Sequence, residues 1–151
     1  MDFDALADQF EAATIGERVQ IIENEGLTHI GSGSSREVFG IPGSEKVIKL
    51  SSGNIYQNRN EATVWESAPQ DLKSSLLPVL SYGNDYRWLV MPKAEPAAPK
   101  PEHVRAIRDA IRPSDWNCKD KNPENIGWYQ GKLVLMDYGS GCGPSGLGKP
   151  Y

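Results

Sequence analysis

Three polar residues near the end of the chain have the types and spacing of a phosphate-transfer site. Asp120 is followed by four residues and then by Asn125, and Asp137 comes twelve positions after Asn125, at the end of an apolar run. A carboxylate such as that of Asp120 can accept a proton from a hydroxyl group. The side-chain oxygens of an Asn and a second Asp are ligands that suit Mg²⁺ on nucleotide phosphates. The spacing therefore predicts chemistry on a nucleotide.

Composition and charge limit the classes of protein that the chain can belong to. Its 151 residues, 38% hydrophobic and 24% charged, are enough for one domain or two small lobes. The net charge is −4 and no long basic run is present, so we expect neither general nucleic-acid binding nor membrane binding. Cys118 and Cys142 are too few for a disulfide scaffold, and the acidic N-terminus lacks the apolar region of a signal peptide. We therefore expect a cytoplasmic protein.

The elements that must position these residues follow from hydrophobic periodicity. Apolar residues at positions 3, 6, 7 and 10, and the capping-box pair Thr14 and Glu17, predict two helices within residues 1–26. Alternating patterns then predict strands at 27–31, 37–41, 46–50, 76–82 and 86–91. Helices are predicted at 54–67 and 102–111, and a hairpin at 125–129 and 132–137. The remaining segments are predicted to be a connector at 95–101 and an irregular, Gly-rich tail at 140–151.

From about residue 27 to residue 139 the chain resembles the protein-kinase-like superfamily. Five pieces match in order: a Gly-rich turn, a strand lysine, a helix glutamate, an apolar strand before the connector, and the set of Asp120, Asn125 and Asp137. The resemblance implies an α+β fold with a five-stranded antiparallel N-lobe sheet and one helix. A minimal C-lobe with the catalytic loop and a β-hairpin would complete it. These lobes would span residues 27–94 and 95–139, after a helical extension at 1–26.

The resemblance implies a nucleotide site in the N-lobe. The Gly-rich turn is similar to the kinase loop that covers nucleotide phosphates, with Arg36 where a third glycine is usual. In such a site Lys49 contacts the phosphates and a helix glutamate orients it; Glu61 is the candidate and Glu66 the alternative. The resemblance assigns cofactor binding to Gly31, Ser32, Gly33, Ser34, Ser35, Arg36, Val38, Lys49, Glu61, Met91, Lys93 and Ala94.

The resemblance also assigns the catalytic and metal-binding roles. Asp120 would accept the proton, with Asp115 as an alternative base, and Lys49 would act on the phosphates. Asn125 and Asp137 would hold Mg²⁺. Cys118 and Lys119 stand where kinases usually have His and Arg.

Three functions are compatible with these residues. The first is a minimal kinase that transfers the γ-phosphate of Mg-ATP to a hydroxyl group, most simply on a protein. The second is a pseudokinase-type nucleotide-binding regulator or inhibitor, and the third is an interaction protein without a ligand. The sequence ends twelve residues after Gly139 without an activation segment, which resembles small kinase-like proteins of prokaryotes or viruses. The substrate and the oligomeric state stay open.

Overall fold

The computed structural model describes residues 1–98 and 100–144, and their packing divides them into two compact units. The first unit comprises Met1–Arg59 and Val79–Lys93, and the second comprises Asn60–Pro78 with the described residues from Ala94 onward. Packing thus groups the N-terminal helices with the first sheet and residues 60–78 with the second unit. The lobe boundaries given above stay predictions.

The first unit is built around an antiparallel sheet. Its elements are α1 (Phe3–Ala12), α2 (Ile15–Glu25), β1 (Thr28–Ser32), β2 (Arg36–Gly40), β3 (Lys46–Ser51), the start of α3 (Tyr56–Ser67), β4 (Ser81–Tyr82) and β5 (Trp88–Pro92). The five strands pair antiparallel in the order β1-β2-β3-β5-β4. The predicted five-stranded antiparallel sheet is confirmed.

The core of the first unit lies between α1 and this sheet. Its buried side chains are Leu6, Ala7, Phe10, Leu27, Phe39, Ile48, Leu50 and Val90. The rings of Phe10 and Phe39 meet edge to face with their centroids 5.7 Å apart, a favourable arrangement for two aromatic rings. Asp2 caps α1 by accepting a hydrogen bond from the backbone N–H of Ala5. The N-terminal helix is therefore part of the core of the first unit.

Helix α2 has well-defined ends that the sequence predicted. The hydroxyl of Thr14 accepts a hydrogen bond from the backbone N–H of Glu17, and the Glu17 carboxylate accepts one from the backbone N–H of Thr14. This pair is the predicted capping box. Gly26 ends the helix with φ +67, a left-handed conformation that glycine adopts readily.

The second unit contains short strands and helices. Its elements are the rest of α3, α4 (Gln70–Lys73), β6 (Glu95–Pro96), α5 (Pro101–Ile111), β7 (Trp116–Cys118), β8 (Ile126–Tyr129), β9 (Lys132–Leu135) and β10 (Cys142–Pro144). Strands β6, β8 and β9 form one sheet, and β10 pairs with β7. The predicted hairpin is β8–β9, with its turn at Gln130 and Gly131, and α5 contacts α4 and β9.

Three regions differ from the sequence-based prediction. The strand predicted at 76–82 is reduced to β4. Leu76 and Leu77 are buried, and their backbone pairs with Leu135 and not with the first sheet. The predicted connector contains β6, which pairs with β8. The predicted irregular tail contains β10, and residues 145–151 lie outside the described part of the chain. In each case the partner is distant in the sequence, where periodicity gives no signal.

Within the described residues, no helix combines the length and the apolar character that crossing a membrane requires.

Candidate functional site

The Asp120 loop of the second unit links β7 to β8 and ends in a 3-10 turn at Pro123–Asn125. The side chain of Asn122 lies against the carboxylate of Asp120. Its Nδ2 donates to Oδ1 of Asp120 at 3.0 Å, and its backbone N–H reaches the same oxygen at 3.4 Å. Asp120 is half-buried, so its carboxylate is oriented and still accessible from outside.

Asn125 forms hydrogen bonds to the backbone of both aspartates of the predicted site. Its Nδ2 donates one hydrogen bond to the carbonyl of Asp120 at 2.8 Å and another to the carbonyl of Asp137. Its own carbonyl accepts the N–H of Met136 at 2.9 Å. Among the described residues nothing donates to its Oδ1, although the residue is only 8% exposed. Asn125 therefore ties the backbone of Asp120 to that of Asp137, and its role as a metal ligand stays a prediction.

The segment Asp137–Gly139 is held from several sides within the second unit. The N–H of Gly139 donates to Oδ1 of Asp137 at 3.2 Å, which turns the carboxylate back over its own loop. The ring of Tyr138 is buried, and its hydroxyl donates to the carbonyl of Leu77 at 2.8 Å. The position of Asp137 is thus fixed by bonds on both sides of it.

Helix α3 supplies two further contacts to this segment. Oε2 of Glu61 accepts the N–H of Tyr138 at 3.0 Å, and Nδ2 of Asn60 donates to the carbonyl of Gly139 at 3.2 Å. Both side chains are buried, Glu61 completely, whereas Glu66 is exposed. A buried carboxylate requires hydrogen-bond or ion partners, and the Tyr138 amide is one of them. Sequence reasoning missed Asn60, because its partner lies 79 positions away.

A disulfide bond joins Cys118 to Cys142, which the cysteine count did not predict. The two residues lie directly opposite each other in the β7–β10 pair. Next to them, the N–H of Lys119 donates to the carbonyl of Gly141 at 3.0 Å. The start of the Asp120 loop is therefore tied to the segment that follows Gly139. The spacing of 24 residues carries no recognisable signature, so only the strand pairing reveals this bond.

The Gly-rich turn of the first unit connects β1 to β2. Gly31 pairs with Val38 and Ser32 with Glu37, and the N–H of Gly33 closes the turn on the carbonyl of Arg36 at 2.8 Å. A Cβ added to Gly31 would meet no atom within 4 Å. Internal packing therefore does not require glycine there, which fits a position that a ligand approaches closely. Ser34, at the tip, is exposed.

The residues after the tip are held by the beginning of α3, within the first unit. Oγ of Ser35 donates to Oε1 of Gln57 at 2.8 Å, and Nη1 of Arg36 donates to Oδ1 of Asn58 at 2.8 Å. Arg36 is only 3% exposed. The phosphate contact assigned to Arg36 stays a prediction, and Asn58 is one of the partners of Arg36.

Lys49 occupies the middle of β3, paired with Val38 on one side and Leu89 on the other. It is 5% exposed, which excludes an ordinary solvent-facing strand lysine. The Nδ2 of Asn58 donates to its carbonyl at 3.2 Å. A buried ammonium group is retained in a protein when partners stabilise its charge, and such lysines are common at functional sites.

The predicted cofactor-binding residues at the end of β5 and just after it have different environments. Met91 is fully buried on β5 opposite Val47. The N–H of Lys93 donates to the carbonyl of Glu45 at 2.8 Å, so Lys93 can offer a base only its carbonyl. Ala94 is half-buried and belongs to the second unit. Contacts of Met91, Lys93 and Ala94 with a nucleotide stay predictions.

The side-chain oxygens of Asn125 and Asp137 are of the type that binds Mg²⁺ together with phosphate, and are too few to hold a metal ion alone. Oδ1 of Asn125 and the carboxylate of Asp137 are hard oxygen ligands, and Mg²⁺ is typically held by one or two such groups with substrate phosphates and water. The described residues contain no cluster of three His, Cys, Asp or Glu side chains that could hold a metal ion alone. A Mg²⁺ ion here would use Asn125 and Asp137 and complete its shell on phosphate.

Comparisons with known proteins identify the fold. Scans against protein-family models and against curated proteins find no match. Two solved structures of WbdD, one described as a bifunctional kinase-methyltransferase and one as a complex with a kinase inhibitor, each cover 74% of this chain with a TM-score of 0.52. Their identities are 21% and 19%, and this chain spans about a third of their length, 31% and 32%. A PknI kinase-domain structure from Mycobacterium tuberculosis follows at 18% identity, with 74% and 58% of the chains covered and a TM-score of 0.45.

The two WbdD structures and the sheet identify the fold of the chain. It has an α+β, protein-kinase-like fold that is short relative to full kinases. The resemblance inferred from the sequence is confirmed at the level of the fold.

Proposed function

We propose that the protein is a Mg-ATP-dependent phosphotransferase that acts on a hydroxyl group of a protein. The observation that supports this most directly is the double hydrogen bond from Nδ2 of Asn125 to the carbonyls of Asp120 and Asp137. It brings a proton acceptor and two metal-ligand oxygens into one small region of the second unit.

Each residue has a defined role in the proposed reaction. Bound Mg-ATP would supply the γ-phosphoryl group, which passes to the oxygen of the acceptor hydroxyl while the bond to the β-phosphate oxygen breaks and ADP leaves. Asp120 would accept the hydroxyl proton, and Asn125 and Asp137 would hold Mg²⁺. Lys49 would bind the nucleotide phosphates, and Glu61 would help to hold the segment of Asp137 through its bond to the N–H of Tyr138. The Gly-rich turn and Val38 cover the nucleotide, with Met91, Lys93 and Ala94 beside the base.

A second candidate is a nucleotide-binding regulator without catalysis. Asn122 supports it, because its side chain and its backbone N–H both donate to Oδ1 of Asp120 and so occupy a carboxylate oxygen that could otherwise accept the hydroxyl proton. Cys118 also stands where kinases usually carry a histidine, and here it forms a disulfide bond. Binding without transfer is the property that would identify this function.

The test compares Asp120→Asn with the matched control Asp115→Asn. Both changes remove one negative charge, and Asp115 is exposed with φ +59, a conformation that Asn adopts as readily as Asp. We expect Asp120→Asn to lower the rate of γ-phosphate transfer by about 10²- to 10⁴-fold, and Asp115→Asn to leave it unchanged. Equal activity of Asp120→Asn and the parent protein would show that the base is another residue.

A thermal melt separates the remaining alternatives. A ligand at about a hundred times its dissociation constant stabilises a protein by about 2.7 kcal/mol. We expect a shift that requires both ATP and Mg²⁺ and that Asp137→Ala removes. Stabilisation without phosphate transfer would identify the regulator, and absence of both would identify an interaction protein.

A further inference from the structure

Two lysines, Lys119 and Lys121, flank Asp120 in the sequence, although the whole chain carries a net charge of −4. Helix α5, which carries Arg108, contacts the 3-10 turn at Pro123–Asn125 that ends the Asp120 loop. Burial lowers the pKa of the Lys121 ammonium group, and repulsion from Arg108 lowers it further. Two like charges held near one another are stabilised by an anion that binds between them. We call Arg108, Lys119 and Lys121 the basic cluster.

The side chain of Lys121 is held in place by the loop itself. Nζ of Lys121 donates to Oδ1 of Asn117 at 2.9 Å and to the carbonyl of Cys118. The backbone N–H of Lys121 donates to the carbonyl of Lys119 at 3.2 Å. An ammonium group has three N–H donors, and within the described residues the third has no acceptor. Lys121 is therefore a fixed cation with one donor left for a ligand.

Helix α5 presents Arg108 on an exposed face. Arg105, Arg108 and Arg112 follow one another at helical spacing and all are exposed. Arg112 pairs with Asp109 at 3.5 Å, whereas Arg105 and Arg108 make no ion pair with any residue that the structure describes. Among the described residues, no carboxylate therefore lies within ion-pair distance of the Arg108 guanidinium.

We propose that the acceptor hydroxyl belongs to an acidic protein segment, a Ser or Thr with Asp or Glu side chains beside it. This inference rests on the proposed phosphotransfer and names its substrate class. The basic cluster binds the carboxylates of the segment and thereby brings the hydroxyl to Asp120. Charged pairs of this kind gain strength from preformed geometry, which the bonds of Lys121 provide.

The experiment uses three peptides that differ only around a central Ser: flanked by Glu, by Gln or by Lys. For each peptide we would measure the rate of phosphate transfer from Mg-ATP and, separately, the binding affinity by fluorescence anisotropy. We expect kcat/KM and affinity to decrease in the order Glu, Gln, Lys, and the preference to weaken with salt because exposed charges are screened.

Two variants and one control assign the preference to the basic cluster. Arg108→Gln should weaken binding of the Glu peptide by about fivefold and leave the Gln peptide unaffected. Lys121→Gln should also weaken binding of the Glu peptide, and because it removes the bonds to Asn117 and Cys118 it should lower transfer to both peptides. Arg108 is exposed on a helix, so its replacement tests the cluster without disturbing the loop bonds of Lys121. Lys132→Gln on β9 removes the same charge elsewhere in the unit and should change nothing.

Each outcome separates the substrate class from the phosphotransfer itself. Equal transfer to all three peptides would overturn the acidic preference and leave the phosphotransferase standing. Selective binding of the Glu peptide that depends on Arg108, without transfer, would support the acidic partner and reject the catalysis. If the protein neither bound the peptides nor preferred one of them, the basic cluster would be rejected as a docking site.

Discussion

The two units keep their candidate site residues in place by different means. In the first unit, Lys49 lies on a regular strand above an apolar core in which Phe10, Ile48 and Leu50 are fully buried. In the second unit, Asp120 and Asp137 lie on loops, and the bonds that fix them come from amide side chains, backbone carbonyls and a disulfide. Burial of apolar area is tolerant of small changes, whereas a polar clamp depends on each donor and acceptor.

The difference teaches where each kind of mutation will act. Truncating a core side chain should loosen the first unit as a whole. Removing a single hydrogen-bond donor in the second unit should disorder one loop and displace the candidate site residues on it, while the surrounding strands stay folded. The following changes would break or sharpen this comparison.

The largest effect is expected from Phe10→Ala. Phe10 is completely buried, and its ring contacts that of Phe39 and lies 4.6 Å below the guanidinium of Arg18. Loss of the ring leaves a cavity, and we expect the free energy of unfolding to decrease by about 3 to 5 kcal/mol. Urea denaturation measures this, with Phe10→Leu as the conservative control. A loss below about 1 kcal/mol would show that α1 is not part of the core.

Reduction of the Cys118–Cys142 disulfide should come next. A cross-link that closes a loop of 24 residues stabilises by about 3 kcal/mol through the unfolded chain. Treatment with a dithiol reductant should lower the melting temperature, and hydrogen exchange should increase in β7 and β10 but not in β1–β5. The double variant Cys118→Ser, Cys142→Ser should match the reduced protein and be insensitive to reductant. A parent protein that is equally insensitive would contradict the disulfide.

A smaller loss of stability is expected when Asn125 is changed to Asp. Aspartate keeps an oxygen for a metal ion but cannot donate to the carbonyls of Asp120 and Asp137. Two partly buried acceptors lose their partner, so we expect a decrease of about 2 kcal/mol in the free energy of unfolding. Asn125→Ala removes the donor and the oxygen together and serves as the comparison. Equal stability of Asn125→Asp and the parent protein would show that the clamp is not needed.

The smallest effect belongs to the exposed cap of α2. Thr14→Ala removes the acceptor for the Glu17 amide and should lower stability by about 1 kcal/mol. The side-chain bond with Thr14 is the largest cause of a lowered pKa of Glu17, so this stabilisation is present above the ordinary value of 4.5 and lost as the pH falls below it. Urea denaturation at several pH values should show a weaker acid dependence for Thr14→Ala.

Local patterns predicted much of the first unit. Alternating residues around the turns predicted β1 to β3 within one residue or so, and the Thr14–Glu17 pair predicted the start of α2. The failed strand at 76–82 shows the limit. Leu76 and Leu77 look like strand residues because they are apolar. In the structure their backbone pairs with that of Leu135, and nothing in the neighbouring sequence indicates that partner.

The candidate site also contains some contacts that the sequence predicts and others that depend on the tertiary fold. The spacing of Asp120, Asn125 and Asp137 is short enough to read in the sequence, and these residues do lie together in the second unit. The contacts from Asn60 and Glu61 to the Tyr138 segment span 77 to 79 positions, so they depend on the tertiary fold. The disulfide depends on β10, whose partner β7 is likewise remote in the sequence.

Evolution can lengthen this chain more easily at some points than at others. Because one amide group of Asn125 must reach two carbonyls, an inserted residue between positions 120 and 125 would take one of them out of reach. Strands β8 and β9 pair without interruption up to Tyr129 and Lys132, so extra residues at the Gln130–Gly131 turn leave Asp137 where it is. Homologues should therefore differ in length at the tip of this hairpin and keep a constant count between Asp120 and Asn125.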